Sequence, residues 1–264
     1  MRRMVMVLAL FASVLGAAAP AYAASSEGPV YLALGDSQAF GAGAPPEDRL
    51  GYVAVLSRWA HSADCEEGPP QACPHLELVN LSVPGATSST LIADQLPAAV
   101  ALITDRQTDA DPSNDVVLIT LTIGGNDLFD PVVGNCAGGP TPACVQAIQT
   151  VFTTYAANLG FILGSLRAAA GPDTKIIITT YDNPLGACQL APLEPLGDVV
   201  LEGGPGIPVG FNDLIKAVAA STNVTVADTF GQLETDDWVG GADCRHPDKS
   251  GYHKMATIIR DLIS

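Results

Sequence analysis

Asp243 and His246 stand three residues apart in the run Asp243-Cys244-Arg245-His246-Pro247, near the end of the 264-residue chain. A carboxylate at that spacing can hold an imidazole in one tautomer from within a single loop, which prepares the ring to act as a base. Serine is a weak nucleophile until such a base takes its proton. Ser37 lies in Leu34-Gly35-Asp36-Ser37, directly after an apolar run. Attack by a serine on an acyl carbon builds an oxyanion that needs donors aimed at it. Gly124-Gly125-Asn126-Asp127 offers the Asn126 side-chain amide, and Asn80-Leu81-Ser82-Val83-Pro84-Gly85 offers the Gly85 backbone N–H. Each block also has a plainer reading. Asp-Ser after a strand is commonly a helix N-cap, Gly-Asn and Pro-Gly are turn sequences, and Asp-x-x-His can be a surface turn with an ion pair. The four together, in this order, say more than any one of them.

Their positions depend on the elements around them. Short apolar runs at 30–34, 76–81, 116–122 and 175–180, with a weaker one at 224–227, read as buried strands. Helical patterns lie between them, at 52–60, 88–103, 145–170, 211–220 and 252–263. Pro97 divides or kinks the second, Gly171-Pro172 stops the third, and Met255, Ile258, Ile259 and Leu262 mark one face of the last. Strands alternating with helices predict an α/β fold with a mainly parallel sheet. In such a sheet the working residues sit beyond the carboxyl ends of the strands. Ser37, Gly85 and Asn126 each follow a separate strand, and Asp243-x-x-His246 follows the last, so one edge could hold all of them. The Pro- and Gly-rich stretch 182–210 is expected to be a long ordered surface loop or a flap over the substrate. Its Leu185, Leu190, Leu193 and Leu196 lean towards an apolar acyl chain, although core packing accounts for them equally well.

Composition narrows the classes. Residues 1–23 read as a signal peptide: Arg2 and Arg3, an apolar stretch from Val5, and Ala21-Tyr22-Ala23 as a cleavage site. Residues 24–264 are then the mature chain, a single domain that is secreted and not inserted in a membrane. Without that segment ten basic residues face 28 acidic ones, a net charge of −18. Such a surface repels nucleic acid. Six cysteines remain in the exported part, and an even count there reads as disulfides, with 15 connectivities open. Their spacing suggests sequential pairing, Cys65 with Cys73, Cys136 with Cys144 and Cys188 with Cys244. There is no C-x-x-C and no histidine at ligand spacing for zinc, no H-E-x-x-H and no G-x-S-x-G elbow. No metal or cofactor is expected. His61, His75 and His253 read as surface or packing residues, and Asp36 and Asp127 as residues that fix backbone turns.

The four blocks resemble those of the GDSL or SGNH hydrolase family, named for Ser, Gly, Asn and His, here Ser37, Gly85, Asn126 and His246. The resemblance runs from about Val30 to the C-terminus. It implies a three-layer α/β/α, flavodoxin-like fold with a central, mainly parallel five-stranded sheet. It implies that Ser37 attacks, His246 is the base and Asp243 orients it, with the Ser37 N–H, the Gly85 N–H and the Asn126 amide as oxyanion hole. The cysteine spacing looks like the secreted lipase and esterase branch found in actinomycetes, which implies three sequential disulfides. The implied activity is hydrolysis of small-molecule or lipid acyl esters by a monomer. Removal of acetyl groups from polysaccharide and acyl transfer to alcohols use the same site and stay open, as does an exported binding protein with vestigial blocks. One departure stands out: Gln38 follows the serine where the family often has leucine, which bears on the pocket beside the nucleophile.

Overall fold

β1 (Val30–Gly35) is buried at all six positions, and its side chains divide strictly between two cores. Val30, Leu32 and Leu34 face one, Tyr31 and Ala33 the other, as the two-residue period of a strand requires. A strand buried on both faces belongs in the middle of a three-layer fold. The computed structural model describes residues 28–63, 76–136 and 139–263.

α1 (Ser37–Phe40), α2 (Glu47–Leu50) and α3 (Tyr52–Ala63) follow β1. β2 (Glu77–Asn80) leads to α4 (Ser88–Asp94) and α5 (Leu96–Thr108), and β3 (Val116–Thr122) to α6 (Gly125–Cys136) and α7 (Pro142–Ala170). β4 (Lys175–Thr179) is followed by α8 (Glu194–Glu202) and α9 (Phe211–Ser221). After β5 (Thr225–Ala227) come β6 (Trp238–Gly240), β7 (Asp243–Pro247) and the closing helix α10 (Lys249–Arg260). The main sheet has the order β2-β1-β3-β4-β5, with every pairing parallel. The expected five-stranded α/β/α architecture is the observed one.

The two faces are covered differently. Residues of α4, α5, α7 and α9 pack on the face with Leu32, Ile119, Leu121 and Ile178. The other face, with Tyr31, Leu118 and Ile177, is covered by α3 and α10. The register slips between Val30 and Tyr31 against β3. That bulge leaves Val117 exposed and shifts β3 by one residue, so that Leu118 and Ile119 alternate correctly again.

Helix 88–103 is divided, as expected, into two helices that meet at Gln95, and Pro97 sits in the first turn of α5. The structure departs from the sequence reading at other elements. The stretch expected to be a loop holds two 3₁₀ turns and α8. α6 starts inside the Gly-Gly-Asn-Asp block and carries Pro131 in its interior. The base block forms an antiparallel pair with β6. Two bridges have the sequential pairing: Cys136–Cys144, which joins α6 to α7, and Cys188–Cys244, with Cα–Cα separations of 4.9 and 5.3 Å. Closing the shorter loop is worth about 2–3 kcal/mol in the chain-entropy picture. Cys65, Cys73, His75 and residues 1–23 lie outside the described residues.

Candidate active site

Ser37 is the first residue of α1, at the carboxyl end of β1. The turn that presents it is held from three sides. Gly35 has φ 138°, and a Cβ there would come within 2.1 Å of the Thr122 carbonyl oxygen, so no other residue fits. The Asp36 N–H donates to that carbonyl at 3.0 Å. The Gln95 amide accepts from the Gly35 N–H at 2.9 Å and donates to the Gly35 carbonyl at 2.8 Å. Gln95 is only 3% exposed. It sits where α4 gives way to α5, a place the helical pattern alone does not mark as part of a site.

Asp36 does what the plainer reading asked of it. It caps α1, accepting from the Gln38 N–H at 2.9 Å. It is also buried, 2% exposed, and accepts from the Tyr181 hydroxyl at 2.9 Å. Tyr181 in turn accepts from the Gly125 N–H at 2.8 Å. Burial pushes the Asp36 carboxyl up to about 7, against the pull of the bonds from Gln38 and Tyr181. This pair links the Ser37 turn to the start of α6, and nothing local in the sequence signals Tyr181.

Asn126 lies in the first turn of α6. Its Nδ2 donates to the Ala86 carbonyl at 2.9 Å, which leaves one amide hydrogen for another acceptor. Gly85 precedes Ala86 at φ 82°. A Cβ at Gly85 would meet nothing within 4 Å, so the backbone conformation, not space, calls for glycine there. Asp127 joins the two blocks a second time by accepting from both the N–H and the hydroxyl of Ser88, the first residue of α4. Burial raises its carboxyl, while the bonds from Ser88 work in the other direction.

His246 and Asp243 are both on β7. Asp243 Oδ1 accepts from the N–H groups of Arg245 at 2.9 Å and His246 at 3.1 Å. Asp243 Oδ2 lies 2.8 Å from His246 Nδ1, and His246 Nε2 lies 2.9 Å from Ser37 Oγ. Burial works to raise the Asp243 carboxyl, but the bonds from the His246 ring and the two amides outweigh it and hold the group below the ordinary Asp value. Asp243 is therefore a carboxylate at neutral pH, so Nδ1 carries the ring proton. Nε2 faces the Ser37 hydroxyl, and in the neutral ring it would offer a lone pair to it, the geometry of a nucleophile, its base and an orienting acid.

Ser37 and Asn126 open onto one cavity, which runs between α6 and the segment from Asp182 to α8. Of the four leucines singled out in that segment, Leu185 lines the cavity, while Leu196 packs against the larger core. Gln38, the departure from the usual block, donates through Nε2 to the Arg245 carbonyl at 3.0 Å and so ties the Ser37 turn to β7. His253 packs edge-on against Trp59, with ring centroids 4.9 Å apart. Among the described residues no three His, Cys, Asp or Glu side chains are gathered as a metal site would need.

Comparison with known proteins gives a consistent result. No curated protein matches the sequence. Among solved structures, the lipase Lip_vut3 from a goat rumen metagenome superposes with a TM-score of 0.61 at 20% identity, over 88% of this chain and 96% of that one. The acetylxylan esterase Axe2 from Geobacillus stearothermophilus gives 0.56 at 19% identity, over 90% and 96%. A member of the lipolytic protein G-D-S-L family from Veillonella parvula gives 0.52 at 18% identity, over 89% and 97%. At these identities the likeness is one of fold. A family model described as the GDSL-like Lipase/Acylhydrolase family matches residues 33–254, a span that takes in all four blocks. The chain belongs to the GDSL-like lipase/acylhydrolase family.

Proposed function

We propose that the protein is a carboxylic ester hydrolase that works through an acyl-enzyme on Ser37. The observation that carries this reading is the chain of contacts from Asp243 through His246 to Ser37, at 2.8 and 2.9 Å. Ser37 Oγ attacks the ester carbonyl carbon while His246 Nε2 takes its proton. The carbonyl oxygen becomes an oxyanion and accepts from the Ser37 and Gly85 N–H groups and the free hydrogen of the Asn126 amide. Collapse breaks the bond to the alcohol oxygen, which leaves with the proton from His246. Water then attacks the acyl-enzyme, His246 takes its proton, and the acid departs as Ser37 regains its hydrogen. Asp243 stabilises the imidazolium in both halves.

Hydrolysis of p-nitrophenyl esters by wild type beside Ser37→Ala tests this, together with labelling by a fluorophosphonate. Turnover and labelling are expected in the wild type, and neither in the variant. Turnover that survives in Ser37→Ala would remove the serine from the mechanism, and a wild type that is neither active nor labelled would favour a binding protein with vestigial blocks.

The same reading has residues 1–23 removed on export, leaving residues 24–264 as one catalytic domain. The cleavage pattern at Ala21-Tyr22-Ala23 supports it, as do the two disulfides, which persist in oxidising compartments. Among the described residues no helix is long and apolar enough to cross a membrane. An N-terminus other than about Ala24 on protein recovered from the medium would count against this processing.

A further inference from the structure

The cavity beside Ser37 holds about 100 Å³, and aliphatic side chains make up much of its lining. Leu128, Val132 and Val133 of α6 line one side, and Leu185, Val200 and Leu201 line the other. What marks it further is the state of the polar groups along it. Asp36 and Tyr181 are bonded to each other and to the Gln38 and Gly125 N–H groups. Asp182 accepts from the N–H groups of Asn183 and Leu233, both at 2.8 Å. Asn183 donates to the Glu194 carbonyl at 2.9 Å and to Asp198 at 2.8 Å, and accepts from the Leu185 N–H at 3.1 Å. Gln38 donates to the Arg245 carbonyl. The Arg245 guanidinium pairs with Asp130 and lies 4.1 Å over the Phe129 ring. Each of these side chains already has a protein partner. Ser37 and Asn126, bonded to His246 and to the Ala86 carbonyl, also line it, and both are needed by the ester itself.

A wall of this kind offers a sugar ring few partners, chiefly the Gln38 amide oxygen and the remaining Arg245 N–H groups. It suits hydrocarbon. We propose that this channel is the acyl site of the esterase and takes an unbranched aliphatic chain, with Val133 and Leu185 as facing residues that set its length and width. The assignment rests on the Ser37 acyl-enzyme reading above. Leu128 to Val133 is a rise of about 7.5 Å along the helix, the length of an extended chain of about six carbons. An acetyl group would fill only the end at Ser37 and leave the apolar walls unused.

The test is kcat/KM for p-nitrophenyl acetate, butyrate, hexanoate and octanoate with wild type, Val133→Phe and Leu185→Phe. Val133 and Leu185 are half-buried on opposite walls, so added bulk at either narrows the channel without entering the core, and the second variant serves if the first does not fold. In the wild type kcat/KM is expected to rise by about fourfold per methylene up to about hexanoate. The Phe variants should lower hexanoate roughly tenfold and acetate by no more than about twofold. Retained acetate turnover and fluorophosphonate labelling show that the chemistry is intact, so loss of the chain-length effect alone strikes only the channel. A wild-type profile flat or falling from acetate onwards would overturn the proposal, as would variants that lower every ester equally while still being labelled. An acetylated xylo-oligosaccharide turned over faster than hexanoate would overturn it as well.

Discussion

The two halves of the candidate site are held in different ways. Ser37, Gly85 and Asn126 follow β1, β2 and β3, adjacent in the main sheet, and the first of these strands is wholly buried. Their turns inherit the stiffness of the ladder and are joined again by Gln95, Asp127 and the Asn126–Ala86 bond. Asp243 and His246 lie on β7, which among the described residues pairs only with the three-residue β6 outside that sheet and is half-buried for most of its length. The base strand is held instead by the Cys188–Cys244 bridge, by Gln38 to the Arg245 carbonyl, and by the Gln189 N–H to the Gly241 carbonyl at 3.0 Å. Packing therefore positions Ser37, Gly85 and Asn126, whereas one covalent tie and a few hydrogen bonds position Asp243 and His246. The base half should be the first to lose its alignment under perturbation.

Substitutions within each half test this contrast. The largest effect is expected for Asp243→Asn, which keeps the shape but favours the wrong tautomer of His246, and should lower kcat by about 10⁴. A loss under about tenfold, with near-UV CD unchanged, would mean that another group orients the ring. In the other half, Asn126→Ala should cost about 10²–10³ in kcat, the size of one oxyanion donor. Its bond to Ala86 is lost too, so intact near-UV CD is needed for the number to count. A much smaller loss would leave Asn126 as a strut between two loops.

Removing Cys188–Cys244 separates the halves most directly. The bridge closes a loop with a sequence separation of 56, worth about 4 kcal/mol in the chain-entropy picture. Cys188→Ser with Cys244→Ser should lower kcat by about ten- to a hundredfold through a displaced base. Near-UV CD in water should keep the wild-type signal. Activity and CD lost together would show that the base strand and the sheet unfold as one unit. The smallest effect concerns Asp36. Its folded carboxyl is raised to about 7 by burial, so the folded protein keeps a proton that the unfolded chain releases. That contribution to stability is complete below the ordinary Asp value and is lost as pH rises through about 7. Asp36→Asn should flatten the fall in Tm between about pH 4 and about pH 8. An unchanged slope would place the titration elsewhere.

The sheet, its parallel sense and the choice of Ser37, Gly85, Asn126, Asp243 and His246 as candidates were legible because each is written locally. A buried strand is a run of apolar residues, and a turn residue follows it directly. Asp243 and His246 meet within one short strand. α6 and α8 were not legible, since Pro131 interrupts one and Pro195 and Gly197 mask the other. Gln95 and Tyr181 carry no local signal either. They reach Gly35 and Asp36 across 60 and 145 residues, and only the closing of the sheet and its helical layers sets them there. The acyl channel is of the same kind. Its walls come from α6 and from the stretch between β4 and α9, and no periodicity states that the two face each other. Residue type and order determined which chemistry this chain can perform, because reactive side chains follow strands that reveal themselves. Tertiary packing decided how the site is held and what fits beside it, because those contacts join segments whose sequences are independent of one another.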